Sequence, residues 1–139
     1  MKKLDKYGLC LEEFTNNNDI AKVYYERAIG KKPEMESSKA LAKILKKYVN
    51  ENDKVADIGC ACGHYYYSLK KNIKKNFFYT GMDPGDIFLK KAKQAWKNDE
   101  RSNFKKGNIF NIPFKKNSFE IVFSSNVLIH IHKSDKAIK

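Results

Sequence analysis

The feature that most constrains this chain is the stretch of residues 55–64, which reads VADIGCACGH. Residues 55–58 form a short apolar run with one carboxylate, Asp57, and this pattern predicts a strand that is covered on both faces. Gly59 and Gly63 enclose three small residues, so the backbone can turn sharply and begin a helix directly afterwards. The stretch therefore predicts a strand, a tight loop and a helix, with main-chain N–H groups close to a nucleotide-like ligand.

The residues of this loop are compatible with three interpretations. The simplest is a turn between strand and helix that only requires glycine. A dinucleotide-binding loop needs G-x-G-x-x-G, whose third glycine would fall at His64, and that motif does not ask for Asp57. This mismatch disfavours a nicotinamide- or flavin-dependent oxidoreductase.

The third interpretation is a family resemblance. Residues 57–63, DIGCACG, resemble motif I of the class I S-adenosylmethionine-dependent methyltransferases, in their type 11-like form. The usual pattern there is acid-x-Gly-x-Gly-x-Gly, and Ala61 replaces the middle glycine by another small residue. The resemblance implies an S-adenosyl-L-methionine cofactor, and it implies that these loop residues bind it: Asp57, Gly59, Cys60, Ala61 and Gly63.

The next acid in a favourable place is Asp83. Residues 77–83 are aromatic and β-branched and predict a second strand, and ligands of open α/β sheets bind where such strands end. The resemblance implies that Asp83 accepts the hydroxyl groups of the cofactor ribose, with Pro84 beside it. Asp83 could also be the N-cap of a helix that runs to about Asn98, and the two roles are compatible.

Residues 102–106 predict a third strand, and Gly107-Asn108-Ile109 follows it. This segment resembles the family's Gly-Asp-aliphatic segment, in which the acid contacts the adenine amino group and the aliphatic residue packs on the ring. Asn108 replaces the acid, and its uncharged oxygen could still accept that hydrogen bond at a cost of about 1 kcal/mol or less. The alternative is that Gly107-Asn108 only forms a turn.

Residues 113–131 resemble the family block of Pro-Phe, a turn, Ser-Phe-acid, a strand and a helix. The resemblance implies a fourth strand over residues 121–124, with the small Ser124 and Ser125 leaving room for the methionine part of the cofactor. His130 could border the acceptor site as a general base, although a structural or surface role is the alternative. No catalytic residue and no metal site is predicted.

The predicted fold class is α/β, a Rossmann-like, doubly wound, mostly parallel sheet with strand order 3-2-1-4 and helices on both faces. We expect an N-terminal arm and helix over residues 1–36 and a methyltransferase domain over 37–139. The family sheet continues with further strands, so we expect a chain truncated after strand four: a fragment, a gene remnant, or a protein that self-associates. Residues 121–123 would then form an open edge, which tends to pair with another chain.

Two N-terminal helices are expected before the first strand. The first spans residues 19–29 and carries Tyr24 and Tyr25. The resemblance would put these tyrosines near the cofactor, but ordinary packing is the preferred interpretation, since aromatic residues at helical spacing usually face the core. The second begins after a cap at Ser37 or Ser38, and its apolar stripe comprises Leu41, Ile44, Leu45 and Tyr48.

Charge and cysteine content bear on partners and compartment. The 139 residues carry a formal net charge of +12, nearly all from lysine. A nucleic acid partner is one explanation, but the even spread of lysines favours a compositional bias. The family resemblance implies a small-molecule acceptor first and a nucleic acid second. The three cysteines do not have the spacing of a zinc site, which is typical of buried thiols in a reducing compartment. The sequence contains neither a signal-peptide core nor a stretch long enough to span a membrane. We therefore expect a cytoplasmic protein without membrane association.

The sequence thus predicts S-adenosylmethionine-dependent methyl transfer to an unidentified acceptor. A non-catalytic module that holds the cofactor or its demethylated product is the alternative, and a nicotinamide-binding oxidoreductase is the third option.

Overall fold

The computed structural model describes residues 17–127, in which helices flank a parallel sheet. In chain order the elements are α1 (Asn18–Ala28), α2 (Glu36–Leu45), β1 (Lys54–Ile58), α3 (His64–Asn72), β2 (Phe78–Asp83), α4 (Asp86–Ala95), β3 (Ser102–Lys106) and β4 (Ile121–Phe123). All three strand pairings are parallel and the order is β3-β2-β1-β4. The predicted α/β class and strand order are confirmed. The helix expected after strand four, with His130, lies outside the described residues.

The main core lies between one face of the sheet and helices α2, α3 and α4. Val55 of β1 pairs with Tyr79 of β2, and Gly81 pairs with Phe104 of β3, so these side-chain positions share that face. Tyr66 of α3 stacks on Tyr79, with ring centroids 4.2 Å apart. The large aromatic contact area of this face fixes the helices against the sheet.

The opposite face of the sheet is covered differently. Ala56, Ile58 and Met82 are buried there, and partly buried Ile109, Phe114 and Phe119 pack against them. Helices were expected on both faces of the sheet. In the described part of the chain, however, this face is covered by the segment between β3 and β4, which contains no helix. A segment without a helix covers less of the sheet, and Val122 of β4 is 60% exposed.

Helix α1 is tied to the rest of the domain by its cap and its packing. The Asn17 side chain accepts hydrogen bonds from the N–H groups of Asp19 and Ile20, both at 3.1 Å. The helix packs against α3 and α4, which carry the loops at the carboxyl edge of the sheet. The helix predicted over residues 19–29 is confirmed, whereas the domain boundary at residue 36 stays a prediction.

The predicted details of α2 were wrong in two respects. The helix already begins at Glu36, so the Ser37 and Ser38 hydroxyls lie inside it, and they bond to α3 through Tyr65 and Ser68. The buried face of α2 carries Ser38, Ala42 and Leu45. The other predicted core residues, Ile44 and Tyr48, are 54% and 65% exposed, because the helix ends at Leu45 and its packed face is rotated away from them.

Candidate functional site

The predicted cofactor-binding residues all lie at the carboxyl ends of the four parallel strands. Asp57, Gly59, Cys60, Ala61 and Gly63 end β1 or form the loop after it, Asp83 and Pro84 stand at the end of β2, Asn108 and Ile109 follow β3, and Ser124 and Ser125 follow β4. Parallel strands present these ends at one edge of the sheet, which is the usual ligand edge of open α/β folds. Sequence and topology therefore agree on the place of the site.

The loop after β1 needs its glycines. Gly59 and Gly63 have φ angles of +85° and +74°, and Ala61 between them has +47°, which is unusual for a residue with a side chain. A Cβ atom on Gly59 would lie 2.1 Å from Cγ2 of Val127, and one on Gly63 would lie 2.8 Å from Nε1 of Trp96. Glycine is thus required by both conformation and space.

Most N–H groups of this loop are occupied within the protein. Those of Gly59 and Cys60 donate to the Met82 carbonyl, at 2.7 and 3.0 Å, and that of Ala61 donates to Asp83 Oδ2, at 2.9 Å. The first turn of α3 begins at His64 and has no side-chain cap. The loop was expected to offer its own N–H groups to a ligand, but the free donors lie instead at the start of this helix.

Asp83 joins the loop after β1 to the loop after β2. Its Oδ2 accepts from Ala61, and its Oδ1 accepts from the Gly85 N–H at 2.8 Å. Asp83 is 7% exposed; this burial raises its pKa to about 6, against the lowering effect of the two backbone hydrogen bonds. The residue that caps α4 is Gly85, so the N-cap prediction for Asp83 was wrong, because the helix starts two residues later than that role requires.

Asp57 is buried beside a tyrosine that the sequence analysis missed. The Tyr79 hydroxyl donates to Asp57 Oδ2 at 2.6 Å, and Asp57 is 3% exposed. Burial raises the Asp57 pKa to about 7; the nearby Asp83 charge also raises it, and the Tyr79 hydrogen bond lowers it. The sequence carried no signal for this contact, because it depends on the register of β1 against β2, in which Gly81 pairs with Asp57.

The two described cysteines have structural positions. Cys60 Sγ lies against Gly81, where an added Cβ would be 2.6 Å from the sulfur. Cys62 Sγ donates to the Ala21 carbonyl of α1 at 3.5 Å. Burial raises the pKa of both thiols, that of Cys62 to about 12, so neither is a thiolate at neutral pH.

Asn108 uses its side-chain oxygen within its own loop. Oδ1 accepts from the N–H groups of Phe110 and Asn111, at 2.9 and 3.0 Å. This is a local Asx-type turn, the alternative foreseen for this segment. The predicted hydrogen bond from the adenine amino group to Asn108 would have to compete with these two bonds. The neighbouring Ile109 packs on the sheet beside Ile58.

The two serines after β4 differ in their partners. Ser124 Oγ donates to the Ile58 carbonyl at 2.9 Å, which fixes the end of β4 to the end of β1. Ser125 Oγ lies 2.9 Å from the Tyr65 hydroxyl, which donates to Ser37 Oγ at 2.7 Å. Tyr65 therefore links the segment after β4 to α2, a role that the sequence did not reveal.

The parallel sheet, the glycine-dependent loop and the acid ending β2 define a class of protein, the Rossmann-like domains that bind nucleotide-like cofactors. A family defined by the description "methyltransferase domain" matches residues 55–139. The chain therefore belongs to this methyltransferase family.

Individual relatives agree with this membership. An uncharacterized methyltransferase of Schizosaccharomyces pombe is 30% identical over 93 residues, covering 61% of this chain and 33% of the relative. Carboxy-S-adenosyl-L-methionine synthase of Helicobacter pylori is 27% identical over 84 residues, covering 60% of this chain and 35% of the synthase. The chain thus spans about a third of the length of these curated relatives.

A solved structure shows the shared fold. A candidate S-adenosyl-L-methionine-dependent methyltransferase of Methanococcus maripaludis superposes with a TM-score of 0.65 at 18% identity, over 99% of this chain and 57% of the other. Within residues 17–127 no helix is both long and apolar enough to cross a membrane.

Proposed function

We propose that this chain binds S-adenosyl-L-methionine at the carboxyl edge of its sheet and takes part in methyl transfer to a small-molecule acceptor. The observation that carries the proposal is Asp83, a buried carboxylate at the end of β2 that also holds the glycine loop through Ala61. Family membership over residues 55–139 supports the same cofactor.

The residues present fit an S-adenosyl ligand. Gly59 has a φ of +85° where β1 turns into the loop, and Val127 packs where a side chain would stand, so glycine is needed for the loop conformation at the proposed ligand site. Each Asp83 oxygen accepts one backbone N–H and retains a lone pair for a ribose hydroxyl. The uncapped start of α3 offers donors for the negatively charged part of the ligand.

When bound, S-adenosylmethionine supplies a methyl group on a sulfonium; the acceptor lone pair bonds to the methyl carbon as the carbon–sulfur bond breaks and a thioether is left. The chain contributes by positioning and by exclusion of water. Asp83 orients the ribose, the glycine loop follows the ligand, and α1 covers the loop through Ala21 and Cys62. No general base is assigned, since only some acceptors require one.

The family resemblance makes a small molecule the preferred acceptor, and a nucleic acid is the second choice. Within the described residues, lysines occur on α2, α3, α4 and β3 and are not concentrated on one element.

A second candidate function comes from one relative. The Helicobacter pylori relative is a carboxy-S-adenosyl-L-methionine synthase, which makes a carboxylated form of S-adenosylmethionine. On this alternative, the chain would bind S-adenosylmethionine as the substrate of another reaction, or bind it without catalysing any reaction. Mass spectrometry of the nucleoside products would detect another reaction of the cofactor. Radiolabelled methyl transfer to a cell extract, measured in parallel, would detect methyl transfer.

The first test is calorimetric titration with S-adenosylmethionine, S-adenosylhomocysteine and NADH. Asp83→Asn removes the charge at the ribose contact, and we expect it to weaken binding of the two S-adenosyl ligands about 10- to 100-fold. Asp53→Asn is the matched control, because Asp53 lies before β1 at the opposite edge of the sheet. A folded wild-type chain that binds NADH and neither S-adenosyl ligand would contradict the proposal.

A further inference from the structure

Asp57 and Asp83 are two buried carboxyl groups at the ligand edge of the sheet, and no cation is paired with either. They are 3% and 7% exposed. Asp57 pairs with Gly81, so Asp83 stands two residues further along the neighbouring strand and on the same face of the sheet. No ion pair formed within residues 17–127 includes either group. Because a buried carboxylate is costly without compensating positive charge, such a pair must either hold a proton or bind a cation.

The hydrogen bonds determine which of the two carboxyl groups holds the proton. Asp83 accepts bonds from two backbone N–H groups, those of Ala61 and Gly85, and these favour its ionised form. Asp57 accepts one bond, from the Tyr79 hydroxyl, and its burial outweighs that bond. The pKa of Asp57 is accordingly raised to about 7, and that of Asp83 only to about 6. Near neutral pH the proton therefore resides on Asp57.

The other groups around Asp57 do not change charge near neutral pH. Burial holds the pKa of Tyr79 and that of Cys60 well above their usual ranges, and it also raises the pKa of Tyr66, which stacks on Tyr79. On the side of β4, the residue that pairs with Asp57 is the apolar Phe123. Apart from Asp83, Asp57 is thus the group in this cluster whose protonation can respond to a charge on a bound ligand.

The topology puts Asp57 below the middle of the proposed ligand. Strand β1 lies between β2 and β4 in the sheet. A ligand that extends from Asp83 at the end of β2 towards Ser124 after β4 must cross the end of β1, where Asp57 stands. In S-adenosylmethionine the sulfonium joins the ribose to the methionine part, so its fixed positive charge would fall near this strand end.

We propose that Asp57 determines the preference of this site for the sulfonium cofactor over its thioether product, by losing its proton when the sulfonium binds. This inference rests on the proposed function and adds a specificity-determining residue to it. On binding, the Asp57 proton passes to solvent, and the carboxylate compensates the sulfonium charge. After methyl transfer the thioether is uncharged, the carboxylate is again uncompensated, and a proton returns to it from solvent. The preference is therefore strongest where Asp57 ionises readily, at higher pH.

The test is calorimetric titration of the wild-type chain with S-adenosylmethionine and S-adenosylhomocysteine at several pH values. Both ligands carry the same ammonium, carboxylate and ribose, so the titration of these groups and of Asp83 cancels in the ratio of the two affinities. We expect the ratio to rise about tenfold in favour of S-adenosylmethionine between pH 6 and pH 8, because an Asp57 pKa of about 7 lies between them.

Three variants assign the effect to a residue. Asp57→Asn should make the affinity ratio independent of pH, with a value near that of the wild type at pH 6. Tyr79→Phe should move the midpoint of the pH dependence upwards, because the hydrogen bond that lowers the Asp57 pKa is lost. Asp53→Asn removes a carboxylate four residues earlier, at the opposite edge of the sheet, and should leave the pH dependence unaltered.

A proton count in the wild-type protein decides the matter even if Asp57→Asn does not fold. Titrations at pH 6.5 in two buffers of different ionisation enthalpy give the number of protons released on binding. We expect S-adenosylmethionine to release about 0.7 proton more than S-adenosylhomocysteine, which is about the protonated fraction of Asp57 at that pH.

Equal proton release with the two ligands, or a wild-type affinity ratio that rises less than about threefold from pH 6 to pH 8, would overturn the inference. A pH dependence that persists in Asp57→Asn would also overturn it, because another group would then be responsible. The proposed function would stand in each of these cases, since both ligands still bind. A folded wild-type chain that binds neither ligand would instead refute the proposed function, and this inference with it.

Discussion

The buried carboxyl of Asp57 makes a specific prediction about stability and pH. Its pKa rises from 3.8 to about 7 on folding, chiefly through burial. Between about pH 4 and pH 7 the unfolded chain has released this proton while the folded chain still holds it, so a rise in pH lowers the free energy of unfolding. At about 1.36 kcal/mol per pKa unit, the loss approaches about 4 kcal/mol above pH 7 and amounts to about 3 kcal/mol between pH 5 and pH 8.

Asp57→Asn removes this titration and keeps an oxygen that can accept the Tyr79 hydrogen bond. We therefore expect the free energy of unfolding of the variant, relative to wild type, to rise by about 3 kcal/mol from pH 5 to pH 8. The comparison must be made as this difference, because His64 acts in the opposite direction. Its lowered pKa of about 3 makes the folded protein gain stability as pH rises towards 6.5.

The assay is urea unfolding at several pH values, followed by the fluorescence of Trp96, the single tryptophan. Asp19→Asn, at an exposed carboxylate in the first turn of α1, is the control for the loss of one negative charge at the surface. If Asp57→Asn differs from wild type by the same amount at pH 5 and pH 8, burial does not control this carboxyl and the reasoning is refuted.

Three further predictions follow from the loop and the sheet edge. Ala61→Gly should raise the free energy of unfolding by about 0.5 kcal/mol, because it relieves a positive φ; a lower melting temperature would contradict this. Gly59→Ala should cost about 2 kcal/mol or more and abolish S-adenosylhomocysteine binding, because its Cβ would meet Val127; unaltered calorimetric binding would show that the loop moves freely. Val122→Lys should reduce any concentration-dependent association in sedimentation velocity if β4 pairs between chains, and an unchanged profile would exclude that edge.

The edge at which the site lies could be predicted from local signals in the sequence, whereas the strand order was expected from the family resemblance. The glycines of the loop after β1 reflect backbone conformation, and Asp83 stands out as an acid ending an apolar strand. Both signals can be recognised in the sequence without knowledge of the tertiary structure. Helix α3 also carries a local signal, because its buried Tyr66 and Leu69 stand three residues apart, at helical spacing.

The remaining features depend on contacts between distant segments. The Asp57–Tyr79 hydrogen bond requires the register of β1 against β2. Arg27 comes close to His64 only because α1 packs on α3. The serines of α2 matched the composition of a cap, yet tertiary hydrogen bonds to α3 determined where Ser37 lies. Pairings of this kind have no periodicity in the sequence.

Asp83 has a consequence for how this site can change over evolutionary time. The same carboxylate that is proposed to hold the ribose ties Ala61 to Gly85, so the architecture of two loops depends on it. Any substitution that abolishes ligand recognition here would also release both loops and lower stability. Selection for a folded chain is therefore sufficient to retain the acid, even in a lineage that no longer transfers methyl groups. Retention of catalysis would be recorded instead by residues that contact the ligand without supporting the loops.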